Sequence, residues 1–587
     1  MSKIKKSFGF IGLVPAMFMG ALDATIVNIA LPDIMKDLNT SLTDTSWVAT
    51  IYVLAMAVFI ITASKLADLY GRRLVMLIGV TLFGVFSFAC MTANSLSLLI
   101  VFRFFQGIGG AILTPIVLPM GIALFGKSST SKVTAIMGAF SALAAAGGPV
   151  IGGLIIHLTT YHWIFGINVP IAILAFLLIL WGNEESYDFS IAKEIDWLGM
   201  LFLTCTLGDL TFSLLEGREY GWTSAVILLS FVISLIGLIL LIVVEGKVKS
   251  PIIELSLFKE KTFTASSIIY MIFGLAIIVP SLILNYFLQN VRNYSALHSA
   301  YLIVPASLAI VVGMPLATKM YQKLTAKLLI CIGMFITAGG LFMLSLVQYA
   351  TSKSIIICCN VVIGLGLGFM AMALTASVKY LPVTKAGIGS GIVNASRYIG
   401  QAIGMALLIT ILNANINTAK DNIRHDAYVQ IDKHNLSSSV KKVAKTEIKQ
   451  TFKSSNSTTD FSTKQSKMIK KIKAVAKETD NLPTPKKGSN YRKLYDANNA
   501  LVTGTEKVVV NLPQQLSSSL LSLGEGQVQL GLAIQLLAQK EELTDTFKQI
   551  KDSKNKNLSQ AFDQVFVVGS LIVLLSTPLA YLTDKKR

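Results

Sequence analysis

The chain has 587 residues, of which 53% are hydrophobic and 14% charged, with 51 Lys and Arg against 32 Asp and Glu. Its mean hydropathy is +0.64, and a soluble globular protein carries about 25% charged residues, so most of this chain avoids water. The formal net charge of +19 does not mark a nucleic-acid binder, because the basic residues gather in loops on one side of the apolar runs and in one polar segment.

An apolar run of about 20 residues crosses a ~30 Å hydrocarbon core. Such runs predict spans over 8–30, 45–65, 74–94, 98–124, 133–157, 163–182, 197–215, 224–245, 263–288, 298–318, 327–348, 354–376, 389–414 and 561–582, fourteen in all. The first follows Lys3, Lys5 and Lys6 in the manner of a leader. It is too long for one, contains Asp23 and Asn28, and precedes no small-residue cleavage site, so it reads as a retained span. The five cysteines all fall inside apolar runs without metal-ligand spacing, and the reading expects no disulfide, metal or cofactor.

An even number of spans puts both termini on one side, and Lys and Arg in short loops decide which. Lys65, Arg72, Arg73, Lys127, Lys132, Lys247, Lys249, Lys259, Lys261, Lys319, Lys323, Lys327, Lys379 and Lys385 lie in one set of loops. The termini add Lys3, Lys5, Lys6, Lys585, Lys586 and Arg587. The opposite loops hold Lys36, Arg218, Arg292 and Lys353, so the asymmetry is about twenty against four. The expected location is the plasma membrane, with cytoplasmic termini.

Residues 415–560 break the pattern. They are polar, lie between the last two spans and therefore outside, and hold 24 Lys and Arg against 14 Asp and Glu. Long segments translocate regardless of charge. Residues 436–480 are too poor in aromatics to build a core, whereas 496–550 show helical apolar spacing through Leu516, Leu520, Leu523, Ile534 and Leu537. A helical hairpin with a flexible arm is expected there.

Ionisable groups inside spans are costly and mark functional sites. They are Asp23, Arg103, Asp209 and Arg397, with Glu216 and Asp563 near span ends, and no acidic residue occurs between Glu260 and Asp421. If protons drive a cycle in this chain, the titrating group must therefore lie in the first half, in the span pair at 197–245, or at Asp563. Asp23 is the first choice, with Arg103 as electrostatic partner and Asp209 as a further acid. The structural alternatives are a static salt bridge for Asp23 and a polar pairing unrelated to the pathway for Asp209. His157 and His162 read as interfacial hydrogen-bonding residues. Gly364-Leu-Gly366-Leu-Gly368 lies inside an apolar span with no following strand, so it reads as helix packing and not as a nucleotide loop.

Four stretches carry more than hydropathy. Span one reads Leu22-Asp23-Ala-Thr25-Ile-Val-Asn28-Ile-Ala-Leu-Pro32. Span two ends Ser64-Lys-Leu-Ala-Asp68-Leu-Tyr-Gly71-Arg72-Arg73. Span four contains Arg103-Phe-Phe-Gln106-Gly107-Ile-Gly109-Gly110. Span five runs from Gly138 to Gly147-Gly148-Pro149-Val-Ile-Gly152-Gly153. Together they resemble the major facilitator superfamily, in particular its fourteen-span drug/proton antiporter branch. Trp163-Ile-Phe-Gly-Ile-Asn168-Val-Pro170 and Asp196-Trp197-Leu-Gly199 strengthen the likeness. It covers about 1–414 and 561–587 and leaves the outer segment aside.

The resemblance implies an all-α polytopic membrane protein of two six-helix bundles with two inserted spans. The expected parts are 1–182, the inserted spans and linkers at 183–262, spans nine to thirteen at 263–414, the extracellular basic and mostly helical segment at 415–560, and the last span and tail at 561–587. It also implies a conformational latch at Asp68, Gly71, Arg72 and Arg73, although Ser64 stands where the family pattern has Gly. Asp68 is expected to meet the positive end of span three. Gly138, Gly147, Gly148, Pro149, Gly152 and Gly153 match an antiporter-type packing motif, since small residues let helices approach and Pro removes a backbone donor. The bland reading of both motifs is topology-setting charge and plain helix packing.

A substrate cavity lined by Asn28, Trp47, Tyr52, Met56, Asn285, Tyr286, Gln289 and Arg397 suits lipophilic or monocationic compounds, because aromatic faces attract cations and Met adapts to varied shapes. The same residue types also serve as lipid-facing or packing residues. The leading expectation is proton-coupled export of amphipathic drugs by alternating access, with protons, small amphipathic molecules and the bilayer as partners. A second is export or flipping of an endogenous lipid, peptide or envelope precursor, with 415–560 drawn to anionic envelope polymers. A third is a surface-binding scaffold with a vestigial transport core. No nucleophile–base pair or Walker motif suggests an enzyme or an ATP-driven pump.

Overall fold

The computed structural model describes residues 3–40, 42–126, 129–187, 196–248, 251–382, 385–453, 470–472, 474–476, 482–509 and 514–584. The chain divides into two compact units, Met1–Leu412 with Phe562–Arg587, and Asn413–Ala561.

Without water to satisfy the backbone, a lipid-embedded chain must close its hydrogen bonds within each helix, and the apolar runs do so. The first unit is built from α1 (Lys3–Asp37), α2 (Leu42–Tyr70), α3 (Arg72–Met91), α4 (Leu96–Phe125) and α5 (Thr130–Leu158). These are followed by α6 (Trp163–Gly182), α7 (Trp197–Tyr220) and α8 (Ala225–Glu245). Then come α9 (Lys261–Val291), α10 (Ala296–Met320), α11 (Ala326–Ser345) and α12 (Lys353–Lys379). The helix α13 (Ala386–Lys433) leaves this unit, and α16 (Gln514–Leu575) enters it, followed by a short 3-10 turn at Thr577–Leu582. Thirteen helices among the described residues are long and apolar enough to cross a membrane. The remaining expected span, 133–157, falls on α5.

Within this unit α1 packs on α5 and α6, α2 on α4, and α3 on α4 and α6. In the later half α12 packs on α10 and α11. The halves meet where α5 lies along α10, and α7 and α8 pair with each other while α7 rests on α2. Close approach follows from glycine. A Cβ at Gly364 would sit 1.8 Å from the Ala306 carbonyl oxygen, and one at Gly400 1.9 Å from that of Met271. The sequence reading of Gly364–Gly368 as packing therefore has a concrete partner in α10. The ends of α2, α6 and α12 and the starts of α3, α11 and α13 gather on one face of the unit, here termed the terminal face.

The second unit contains the end of α13, α14 (Ser438–Lys453), α15 (Asn490–Val509) and the larger part of α16. Its core joins Ala427, Ile431, Leu436, Val440, Ala444, Ile448, Ile472, Leu543 and Ile550. The stretch 436–480, expected to build no core, thus supplies Val440, Ala444 and Ile448 from an amphipathic α14. Its apolar positions recur every four residues among lysines, a periodicity that overall composition hides. Residues 454–469, 473 and 477–480 of that stretch lie outside the described residues.

Candidate functional site: a buried ion pair and the latches of the terminal face

The fully buried Asp23 on α1 forms a salt bridge with Nη1 of Arg103 on α4. Its Oδ1 accepts from Gln106 Nε2 at 3.1 Å and from Asn168 Nδ2 at 3.1 Å. Gln106 is itself held, donating to Ser87 Oγ at 2.7 Å and accepting from Arg103 Nη1 at 2.8 Å. Arg103 has further partners, with Nε donating to the Val48 carbonyl at 2.9 Å and the guanidinium 4.2 Å from the Tyr52 ring centroid. One carboxylate thus binds helices α1, α4 and α6, and the network draws in α2 and α3. The sequence reading anticipated the Asp23–Arg103 partnership. It missed Gln106, Ser87 and Asn168 as members, although Gln106 and Asn168 stood inside quoted motifs.

At the terminal face Arg72 Nε donates to Asp68 Oδ1 at 2.8 Å, with both side chains buried. Asp68 lies in the last turn of α2 and not at the start of α3, where it was expected to meet the helix dipole. That place belongs to Glu185, whose Oε1 and Oε2 accept from the backbone amides of Arg73 at 2.8 Å and Leu74 at 3.0 Å. A carboxylate on the free N–H groups of a first turn is the favoured arrangement. Gly71 is required here twice over. Its φ is 112°, and a Cβ would lie 2.5 to 2.8 Å from the Glu185 carboxyl group. Arg73 Nη2 donates to the Leu180 carbonyl. Sequence reading missed Glu185, because a cap more than a hundred residues away leaves no local signal.

The later half carries a parallel arrangement. Asp584, just beyond the last span, accepts from the backbone amide of Ala326 at 3.1 Å at the start of α11. It also accepts from Lys379 Nζ at 3.1 Å and from the Tyr380 hydroxyl. Glu185 follows the sixth helix of its half and caps the third, and Asp584 does the same in the second half. Burial pushes the Asp584 carboxyl up, but the hydrogen bonds from Tyr380 and Lys379, the Lys379 charge and the Ala326 amide outweigh it and hold it below the usual range.

The small-residue motif divides by contact. Cβ atoms at Gly148 and Gly152 would meet Thr25 Oγ1 at 2.1 Å and Ile26 Cγ1 at 2.8 Å, so α5 touches α1 directly beside Asp23. A Cβ at Gly138 would meet Met314 Cε of α10 at 2.0 Å, across the two halves. Gly147 and Gly153 meet nothing closer than 3.2 Å. The side chain of Pro149 lies outside the described residues. Where Ser64 replaces the glycine of the family pattern, the close approach is kept from the other side, because a Cβ at Gly391 of α13 would lie 2.9 Å from Ser64 Cβ.

Of the expected cavity residues, Tyr52 and Met56 share a neighbour, since a Cβ at Gly110 of α4 would lie 2.8 Å from the Tyr52 hydroxyl and 3.4 Å from the Met56 sulfur. Tyr52 and Met56 are fully buried, with Tyr52 against Arg103 and donating to the Gly20 carbonyl at 3.1 Å. Trp47 packs on Phe212 of α7. Asn28 is exposed. Gln289 donates to Asn285 at 2.9 Å, and both lie in α9 where two π-helical stretches, Val279–Ile283 and Phe287–Val291, interrupt the α-helix. Tyr286 lies between those stretches and is exposed. Arg397 stacks on Tyr398 at 4.7 Å, and its buried Nε has no hydrogen-bond partner. Asp209 accepts from Ser230 within the α7–α8 pair and takes no part in the Asp23 network. Among the described residues no group of three His, Cys, Asp or Glu side chains is placed to hold a metal.

Residues 13–405 match the family model described as Major Facilitator Superfamily. The chain belongs to that superfamily. It is a multi-pass membrane transporter and not an enzyme. It is 33% identical over 431 residues to the multidrug transporter protein MdtP of Bacillus subtilis, covering 72% of this chain and 78% of that one. It is 34% identical over 412 residues to the multidrug resistance protein Stp of Mycobacterium tuberculosis, covering 68% and 74%. The tetracenomycin C resistance and export protein of Streptomyces glaucescens is 28% identical, covering 68% and 74%. Among solved structures, the human organic anion transporter MFSD10 shares the fold at a TM-score of 0.50 and 11% identity, covering 70% of this chain and 94% of that one.

Proposed function

We propose that this transporter exports amphipathic, drug-like compounds from the cytoplasm in exchange for protons, by alternating access with the terminal face inside. Relatives named as multidrug transporters and resistance proteins support the substrate class. The observation that carries the coupling is the fully buried Asp23–Arg103 pair, the one intramembrane carboxylate among the expected site residues tied to several helices of the first half.

A proton arriving at Asp23 competes with Arg103 for the same carboxylate. Arg103 keeps the Val48 carbonyl, Gln106 and the Tyr52 face when the pair opens, so the guanidinium is never left bare. Opening the pair loosens α1 from α4, next to the Gly148–Gly152 contact that holds α1 to α5. On the terminal face, Asp68–Arg72 with Glu185, and Asp584 with Lys379, act as latches that are remade in each cycle. The Ser64–Gly391 and Gly138–Met314 contacts join the two halves and would have to part when the terminal face opens.

The test is ethidium efflux from energised cells. Wild type should export, and Asp23→Asn or a protonophore should each abolish export. Continued efflux by the variant at wild-type surface level refutes coupling through Asp23.

A second reading, delivery of an endogenous anionic envelope amphiphile, is favoured by one observation. The basic second unit exposes Leu494, Leu501, Leu521, Leu523 and Leu530. Deleting that unit separates the readings, because drug export should survive the deletion and envelope delivery should not.

A further inference from the structure

Two acids at the terminal ends of α7 and α8 stand outside every role described so far. Asp196 and Glu245 are 8% and 5% exposed. Each uses one oxygen locally. Asp196 Oδ1 accepts from the Gly199 amide at 2.7 Å, capping α7, and Glu245 Oε2 accepts from the Ile253 amide at 3.3 Å in the loop leading to α9, with the Ile252 amide also acting on that carboxyl. The other oxygen of each, Asp196 Oδ2 and Glu245 Oε1, is buried without a hydrogen-bond partner. These two orphaned oxygens converge, because a Cβ placed on Gly199 would meet the first at 2.5 Å and the second at 3.0 Å.

Two buried carboxylates cannot face each other fully ionised without heavy repulsion and desolvation. An unsatisfied buried acceptor is costly as well. One proton removes both penalties, turning two orphaned acceptors into a donor and an acceptor.

We propose that Asp196 and Glu245 together bind one proton from the terminal face, as a carboxylic acid–carboxylate pair independent of Asp23. The proton forms an O–H bond at Glu245 Oε1 and is hydrogen-bonded to Asp196 Oδ2; on release it returns to water. Helix ends decide which acid carries it. Asp196 sits at the N-terminus of α7, where a negative charge is favoured, and Glu245 at the C-terminal end of α8, where it is not.

Lys65 of α2 is the cation that acts on Glu245, and its Nζ donates to the Pro251 carbonyl at 2.8 Å. Glu254, the next acid along the loop, pairs with Lys385. Proton occupancy therefore governs how the loop at 251–253 ties α7 and α8 to α2, the helix that ends in the Asp68 latch. This inference does not depend on what the protein exports.

The experiment is pH-difference infrared spectroscopy of the full-length protein in lipid nanodiscs. Wild type should show a carboxylic C=O band that disappears as the pH is raised, and that band should be lost completely in both Glu245→Gln and Asp196→Asn. Either variant alone reads the band if the other fails to fold. The proposal is overturned if the band survives in a folded variant, or if wild type shows no titrating band that the variants remove. A band whose midpoint moves when sodium replaces choline also overturns it, since a metal cation and not a proton would then be the occupant.

Discussion

At the scale of single residues, the chain concentrates its cost where it concentrates its chemistry. Asp23 and Arg103 are a buried pair, and removing one partner of such a pair leaves an uncompensated charge worth about 3–5 kcal/mol. Asp23→Asn should therefore lower thermal stability in detergent as well as abolish efflux. Neutralising Arg103 as well should restore much of the stability and none of the transport, a comparison read by unfolding and efflux on the same preparations. Gly71 offers a sharper contrast. Its φ of 112° and the Glu185 carboxyl beside it leave no room for a side chain, and strain of that kind costs about 1–3 kcal/mol. Gly71→Ala should destabilise the protein, whereas Gly153→Ala, whose nearest neighbour would be 3.7 Å away, should be near neutral in the same melting assay.

At the scale of elements, the two half-transporters repeat a device that no local pattern announces. An acid following the last helix of each half caps the third helix of that half, Glu185 on α3 and Asp584 on α11. The folded-state carboxyl of Asp584 lies below its usual range. Its contribution is therefore present above the unfolded value and lost as pH falls through the folded one. Acidifying the terminal face should loosen α11 from the tail, measured as faster hydrogen exchange at the start of α11. Asp584→Asn should show that faster exchange at every pH. Equal exchange in the variant and wild type would remove Asp584 from the latch. The π-helical stretches of α9 are a second element-scale feature. They accompany Pro280 and place Asn285 and Gln289 within hydrogen-bonding reach, and such bulges recur at functional sites.

At the scale of the whole molecule, the second unit has a core of its own. A fragment spanning 413–561 should unfold cooperatively by circular dichroism, and Leu543→Asp, which places a charge in that core, should abolish the transition. Orientation is testable separately. Lys540→Cys should react with an impermeant maleimide on intact cells and Lys323→Cys should not, read against the five native cysteines as background.

The spans, the fold class and the charged motif residues were legible in the chain itself. Hydrocarbon thickness demands apolar runs of a fixed length, and an ionisable group inside such a run is conspicuous. Asp23, Arg103 and the Asp68–Arg72 segment declared themselves in this way. What only the tertiary structure decided is which distant groups share a site. Gln106, Ser87 and Asn168 complete the Asp23 network, Glu185 and Asp584 cap helices far from them in sequence, and Gly391 supplies the close approach that Ser64 does not. Trp47 packs on Phe212 of α7, and Tyr52 and Met56 come together on Gly110 of α4. The physical reason is common to all of them. Hydropathy and helix length are properties of a contiguous stretch, whereas a hydrogen bond or a close packing contact depends on which helix faces which, and only packing of the whole bundle settles that.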